Sequence, residues 1–463
     1  MKRSTVKYIS ILIIISLMTL ATVVVTDADN KDAVPSPNDP PILSAADPVQ
    51  NQLTYLTISG IGDCMLGKDV KATYPGSFLD MFDKQKDPYT YFFSNVKPVL
   101  AADDLTIANL ETTFTVNAKM AFKNFPGKPV FNFKGDPKYV NILKEGSVEA
   151  VTIANNHTND YGPLGKKDTL ATLDKAGISW FGYEKACVKN IKGIKVGMLG
   201  YKNMNTPEDK PNLKSIKKQM SANIMQLRKQ CGLVIVTFHW GTEMTTRKHG
   251  VQTELGRWAI DNGADLVLGT HPHVVQGIEK YKGRYIVYSL ANFCFGNKRN
   301  PVDRDTYIYQ QTFGFNSNGR LVKALDKKII PCAVSSTAGR NDYRPTVLSG
   351  KSGERVINKI LAVSVPYNKT FSSALPAATA NNQVSEIQKL LNSGANPDAK
   401  DSSGDTALII AGRNNALNSV KILLAGGADP NLAGSNGVKP IDASASPAIR
   451  TMLIQYGAFG TNI

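Results

Sequence analysis

Hydrophobic positions along this 463-residue chain follow three different rhythms. Residues 8–25 form a nearly unbroken apolar run, YISILIIISLMTLATVVV, behind Lys2, Arg3 and Lys7. Positive charge ahead of an apolar stretch close to bilayer length predicts a secretory signal or an uncleaved membrane anchor over residues 1–27, with the basic end left on the cytoplasmic side and the rest exported. The polar stretch behind it carries Pro35, Pro37, Pro40 and Pro41 and predicts a linker over 28–52. From residue 53 to 367 the rhythm changes to short β-branched or apolar runs interleaved with longer helical stretches, which is an α/β signature. The third rhythm, from 372 to 463, is a self-similar repeat rich in Ala, Asn, Ser and Gly.

Within the α/β stretch the clearest strands are LTYLTISGIGD, DLTIANLE, VEAVTIANNH, IKVGMLGY, LVIVTFHWG, ADLVLGTHPH and RYIVYSLANF, each ending in reactive side chains. In open α/β sheets the ligand crevice lies beyond the carboxyl ends of the strands. These endings are therefore expected to meet although they are far apart in sequence. The constellation is Asp63, Asn109, Glu111, Asn155, Asn156, His157, Asp160, His239, Glu243, His271 and His273, and it holds four of the chain's five histidines. Carboxylate, amide and imidazole donors in this mixture suit one or two divalent transition-metal ions, Mn, Fe or Zn, better than thiolate-preferring ions. Two such ions held close together polarise an oxyanion and lower the pKa of a bridging water, which is how metal sites hydrolyse phosphoesters.

Charge and cysteine usage narrow the setting. Lys and Arg number 54 against 38 Asp and Glu, a net +16 that favours polyanionic surroundings. The basic residues are scattered, with no long basic block and no aromatic-basic alternation, so nucleic acid is not an expected partner. Five widely spaced cysteines without a CxxC pair do not make a disulfide framework. Trp180 and Trp240 sit at strand ends among apolar neighbours and read as packing residues. No phosphate-cradling P-loop is present.

The tail repeats LLNSGANPDAKDSSG (390–404) as LLAGGADPNLAGSNG (423–437), and Gly394 and Gly427 set a period of 33 residues. With DTALIIAG (405–412) where a unit opens, this resembles the ankyrin repeat, a turn plus two helices. A shorter unit over 441–458 is expected to cap the stack. So few repeats are marginal alone and are expected to dock on the α/β domain or on a partner, either as an interaction module or as a stabilising cap.

Five blocks carry a second resemblance: GDCMLG (62–67), NLE (109–111), ANNHTNDYG (154–162), HWGTE (239–243) and GTHPHVVQGIEKYKGRYIVYSLANF (269–293). In collinear order they resemble the CapA family of capsule-synthesis proteins over roughly residues 53–367. The resemblance implies a four-layered metallophosphatase-like β-sandwich flanked by helices, followed by the small all-α ankyrin domain. It also implies an outward-facing, membrane-tethered role in making or exporting poly-γ-glutamate, an anionic polymer. Matched residue by residue, it makes Asp63, Asn109, Glu111, Asn156, His239, His271 and His273 metal ligands, and gives His157, with Asp160 and Glu243, the catalytic positions. Three departures are visible. Met65 stands where phosphatases of that fold carry a metal-binding histidine, NLE (109–111) replaces their usual paired-aspartate motif, and, as a minor change, Ala291 stands where the family usually has glycine. Three roles stay open: an accessory protein of polymer synthesis or export, a metal-dependent hydrolase of a phosphoester or of the polymer, and a non-catalytic scaffold recruiting partners through its repeats.

Overall fold

The computed structural model describes residues 53–456 and 458, apart from 73, 124–129, 184, 205–211, 298 and 365–368. The expected signal or anchor and its linker lie outside the described residues. Two sheets organise the α/β part. In the nine-stranded sheet the strand Thr54–Met65 is central. Leu105–Leu110, Ala150–Thr152 and Ser179–Phe181 follow it in parallel on one side, while Asp305–Phe315 and Lys328–Ala333 run antiparallel to their neighbours on the other. The six-stranded sheet has four parallel inner strands, Arg284–Val287, Leu266–Thr270, Leu233–Trp240 and Ile194–Asn203. Its edges, Ile278–Tyr281 and Cys187–Ile191, pair antiparallel.

These inner strands are nearly continuous apolar runs because both faces of each sheet are covered. Between the sheets, Leu56, Ile58 and Ile107 meet Met198, Ile235 and Leu268. Outside the first sheet, the helices Val140–Glu145 and Gly162–Ala176 contribute Ile142 and Leu173 to a second core. Outside the other, Leu213–Arg228 and Gly250–Asp261 contribute Ile224, Leu227, Leu255 and Ala259 to a third. The result is the expected helix–sheet–sheet–helix sandwich. The helix Gly350–Ser364 adds Val356 and Ile360 to the inter-sheet core. It is held by Arg355 Nη1 and Nη2, each 2.6 Å from a different Asp305 oxygen. All five cysteines are free. Trp240 is a packing residue as expected, stacked on Phe238 with Nε1 donating to the Tyr288 carbonyl at 2.7 Å.

The tail folds as three successive helix pairs: Lys369–Ala380 with Val384–Asn392, Ala407–Arg413 with Leu417–Ala425, and Pro440–Ala443 with Pro447–Gln455. They share one core of Leu375, Ile387, Leu408, Leu423 and Leu453. Gly394 and Gly427 occupy the same place in successive units at φ of +90° and +92°, a left-handed conformation that explains why the period is punctuated by glycine. The short stack is docked on the α/β part, as expected. Gly427 lies so close against Thr246 that a Cβ would clash with the hydroxyl, and Tyr456 senses the charges of Asp303 and Lys359.

If one core joins the sheets, Leu268→Ala should cost about 2–5 kcal/mol in urea unfolding, through lost burial and a residual cavity. A cost well under about 1 kcal/mol would mean that the sheets are stabilised separately.

Candidate metal centre

Strands of both sheets deliver their carboxyl ends to one edge of the sandwich. Asp63 pairs in register with Asn109 on one side and Asn292 on the other, and His239 pairs with Thr270, the residue before His271. The sharp exit of the central strand is fixed where Asp63 N donates to the Ala291 carbonyl at 2.9 Å. His271, His273 and Ala291 all adopt left-handed backbone, with φ of 96°, 59° and 62°. Three non-glycine residues held there mark a strained turn that the surrounding structure over-determines. Ala291 keeps this conformation in spite of its Cβ.

The expected residues meet. Asn109 Nδ2 donates to Asp63 Oδ1 at 2.7 Å and lies 3.2 Å from His239 Nδ1. Asn155 Nδ2 donates to Asn109 Oδ1 at 3.0 Å and to the Leu110 carbonyl at 2.8 Å, so it orients Asn109 rather than facing the centre. His239 Nε2 is 2.8 Å from Asn156 Oδ1. His273 Nδ1 lies 2.8 Å from Asn292 Oδ1 and 3.3 Å from Asp63 Oδ2. Sequence reasoning missed Asn292 as a site residue. Its signal was the polar residue closing YSLANF, a strand-end asparagine like Asn109.

Glu111 is the anomaly at the centre. It is fully buried, and among the described residues neither carboxylate oxygen has a hydrogen-bond partner. The imidazole nitrogens nearest it, His157 Nε2 and His239 Nε2, stand at 3.7 and 3.8 Å from Oε1. Burial pushes the Glu111 carboxyl well above the carboxylate range, and neighbouring Asp63, Glu243 and Asp160 add to the rise. The nearby histidines move the opposite way. Burial, then the other imidazoles, hold His239 well below its ordinary value, and burial brings His271 down to about 4. The buried His271 Nδ1 also has no hydrogen-bond partner among the described residues. Leaving such groups unpaired costs several kcal/mol, and a cation among them removes that cost.

Two groups of donors converge tightly enough to share an ion: Asp63, Glu111 and His239, and Glu243, His271 and His273, with ligand atoms in each group within 4.8 Å of one another. The buried oxygens of Glu111 and the buried His271 Nδ1, none with a hydrogen-bond partner among the described residues, fit a divalent cation. Glu243 differs from the others in being exposed, at the open side of the second group.

His157 and Asp160 sit behind this centre. Asp160 Oδ2 lies 2.7 Å from His157 Nδ1 and accepts from Phe133 N at 2.6 Å, while Lys123 forms an ion pair with the same carboxylate. With Nδ1 turned to a carboxylate, Nε2 is the atom left facing Glu111. Burial lowers the His157 pKa and Asp160 opposes that shift. The Phe133 ring stacks on His157 at 3.9 Å, and Phe295 meets His273 edge-on at 5.1 Å. Met65, fully buried, completes an apolar cluster with these two rings. It therefore belongs to the apolar seat on which His157 and His273 rest. His249 remains outside the centre, at the start of helix Gly250–Asp261 with its backbone N donating to Gln252 Oε1 at 2.9 Å.

Burial and the neighbouring carboxylates favour the protonated form of Glu111 and a cation favours the ionised one, so metal uptake at neutral pH should release protons. Calorimetric titration with Mn or Zn in buffers of different ionisation enthalpy should show that release, and Glu111→Gln should remove it. Buffer-independent heats in the wild type would mean that Glu111 is already ionised.

Comparison with known proteins adds a family to this geometry. Residues 57–297, more than half of the chain, match the model of the bacterial capsule synthesis protein PGA_cap, and residues 350–456 match ankyrin repeats in three copies. The chain is 30% identical over 284 residues to the PGA biosynthesis protein CapA of Bacillus subtilis (strain 168), an alignment covering 57% of this chain and 70% of that protein. It is 28% identical over 257 residues to the capsule biosynthesis protein CapA of Bacillus anthracis, covering 52% and 60% of the two chains. A probable polyglutamine synthesis accessory protein of Mycobacterium tuberculosis is 26% identical over 215 residues, covering 41% and 55%. The matched region contains every residue of the centre from Asp63 to Asn292. The chain belongs to the bacterial capsule synthesis protein PGA_cap family.

Proposed function

We propose that this protein is an accessory component of capsular poly-γ-glutamate synthesis or export, carried outside the cell and held at the membrane by residues 8–25, with a metal centre facing the polymer. The observation that carries the reading is Glu111, a buried carboxylate without a donor inside a ring of imidazoles, in a member of a capsule-synthesis family. Asp63, Glu111 and His239 would hold one ion, and His271, His273 and Glu243 a second, with Asn109 and Asn156 as the amide donors between them. Mn, Fe or Zn suits this mixture of oxygen and imidazole donors. Such ions supply Lewis acidity, which stabilises an oxyanion and acidifies bound water. The chain's own residues do the positioning: Asn155 fixes Asn109, Asn292 orients His273, and Asp160 presents His157 Nε2 to the centre. The net charge of +16 suits a polyanionic product.

Elemental analysis of the full chain should find near-stoichiometric transition metal, and the His271→Ala, His273→Ala double variant should lose it. Well-folded wild type that stays below about 0.1 metal per chain after Mn or Zn supplementation contradicts the metal reading.

A second reading, a metal-dependent hydrolase, is favoured by the His157–Asp160 pair, an oriented imidazole of the kind used to donate a proton to a leaving group. The accessory role predicts turnover of p-nitrophenyl phosphate near background. Brisk hydrolysis that His157→Ala removes at unchanged metal content would establish the hydrolase instead.

The anchor has its own test. Fractionation should place the full chain in the membrane pellet, extractable by detergent and not by high salt. A soluble chain outside the cell beginning near residue 28 would reject anchoring while keeping export.

A further inference from the structure

The six-stranded sheet has a second concave feature at its opposite edge. A cleft of 980 Å³ opens where the parallel strands begin, beside Lys195, Gly232, Asp265 and Arg284. His239 is six residues along its strand from Leu233, so at about 3.3 Å per residue the cleft lies roughly 20 Å from the metal centre. The turn around Gly319, reaching over from the nine-stranded sheet, closes one side.

Six cations line the cleft, Lys195, Arg228, Lys229, Lys282, Arg284 and Arg320, against two carboxylates, Asp261 and Asp265. The acids do not cancel them. Asp265 is buried, accepts from Val234 N at 2.9 Å, and takes both Arg228 and Arg284, the latter at 3.3 Å through Nε. Arg228 Nε is fixed in addition by the Gly263 carbonyl at 2.6 Å. One buried carboxylate thus holds two guanidiniums rigid, while the terminal nitrogens of Arg284 find no partner among the described residues. Lys282 pairs with Asp261 at 2.5 Å. Lys195, Lys229 and Arg320 are exposed and form no ion pair among the described residues. Burial first, and then the neighbouring Arg284, pulls the Arg228 guanidinium down to about 10.

We infer that this cleft is a second polymer site, binding a flexible chain of carboxylates as a strand of poly-γ-glutamate presents them. The inference rests on the reading of the product as a polyglutamate and gives that product a docking place separate from the metal centre. Guanidiniums fixed in this way keep further N–H donors to offer to carboxylates, and the exposed Lys195, Lys229 and Arg320 meet the remaining charges. No aromatic residue lines the cleft, so it lacks the stacking platform that single-stranded nucleic acid uses. Its apolar lining is limited to short patches such as Ile260 and Leu321, without a wedge for a lipid surface.

The test measures binding of fluorescent poly-γ-glutamate to the full-length protein across a salt series, beside single-stranded DNA and phosphatidylglycerol vesicles. Wild type should bind the polymer in preference to the other two, with affinity falling as salt rises. The exposed triple variant Lys195→Glu, Lys229→Glu, Arg320→Glu should lose about tenfold or more in affinity, with its melting curve and metal content unchanged. Polymer binding that survives the triple variant overturns the cleft assignment and leaves the proposed function standing. Tighter binding of DNA or vesicles that the variant abolishes overturns it in favour of a different anion. No polymer binding by wild type overturns the cleft together with the polymer as partner, while the metal reading is still judged by elemental analysis.

Discussion

Glu111 is a carboxylate placed where water cannot reach it and where no N–H or O–H group turns toward it. Asp63 beside it offers only another carboxylate, so the two can share a proton but cannot both stay charged without help. The imidazoles around it are held neutral by the same burial, with nitrogen lone pairs to offer. A positive charge at this place satisfies both requirements together. Much of the local structure keeps that arrangement from relaxing: the Asn155–Asn109–Asp63 hydrogen-bond chain, the left-handed turn through His271 and His273, and the Asp160 carboxylate behind His157.

The sandwich makes such a site affordable. Its three apolar cores lie between and outside the sheets, so the strand ends can carry polar, strained and mutually repulsive groups without weakening the packed layers. The small cluster of Met65, Phe133 and Phe295 extends apolar packing to the floor of the centre, where rings meet His157 and His273 face-on and edge-on. The opposite edge of the six-stranded sheet carries the complementary character, crowded cations around one buried carboxylate. One sheet therefore presents clustered carboxylate and imidazole groups at the carboxyl ends of its strands and clustered cations at their amino ends.

Much of this was legible in the sequence, for physical reasons. Strands buried on both faces read as apolar runs, and the side chains that end them stand out, so Asp63, Asn109, Glu111, His239 and His271 could be grouped before any geometry was known. The 33-residue period was legible because Gly394 and Gly427 occupy a backbone conformation that other residues resist. What stayed hidden depends on three-dimensional neighbours. Asn155 and Asn156 look alike in sequence, yet one orients Asn109 while the other faces His239. That Met65 packs with Phe133 and Phe295 was hidden as well, because spacing alone does not say which face of a strand end points inward. Asn292 and the Phe133 ring come from segments far from the histidines they touch. The basic cleft was invisible for the same reason, since its cations come from strand starts, a helix end and turns scattered between residues 195 and 320.

The central claim is that the strand-end cluster around Glu111 is a metal site. Anomalous X-ray diffraction from crystals grown with Mn or Zn, recorded on both sides of the absorption edge, tests it most directly. The account predicts a strong peak among Asp63, Glu111 and His239, with a second one or its shoulder toward His271 and His273. A fully ordered centre without anomalous density, in crystals where the ion is found only at surface carboxylates, would contradict it.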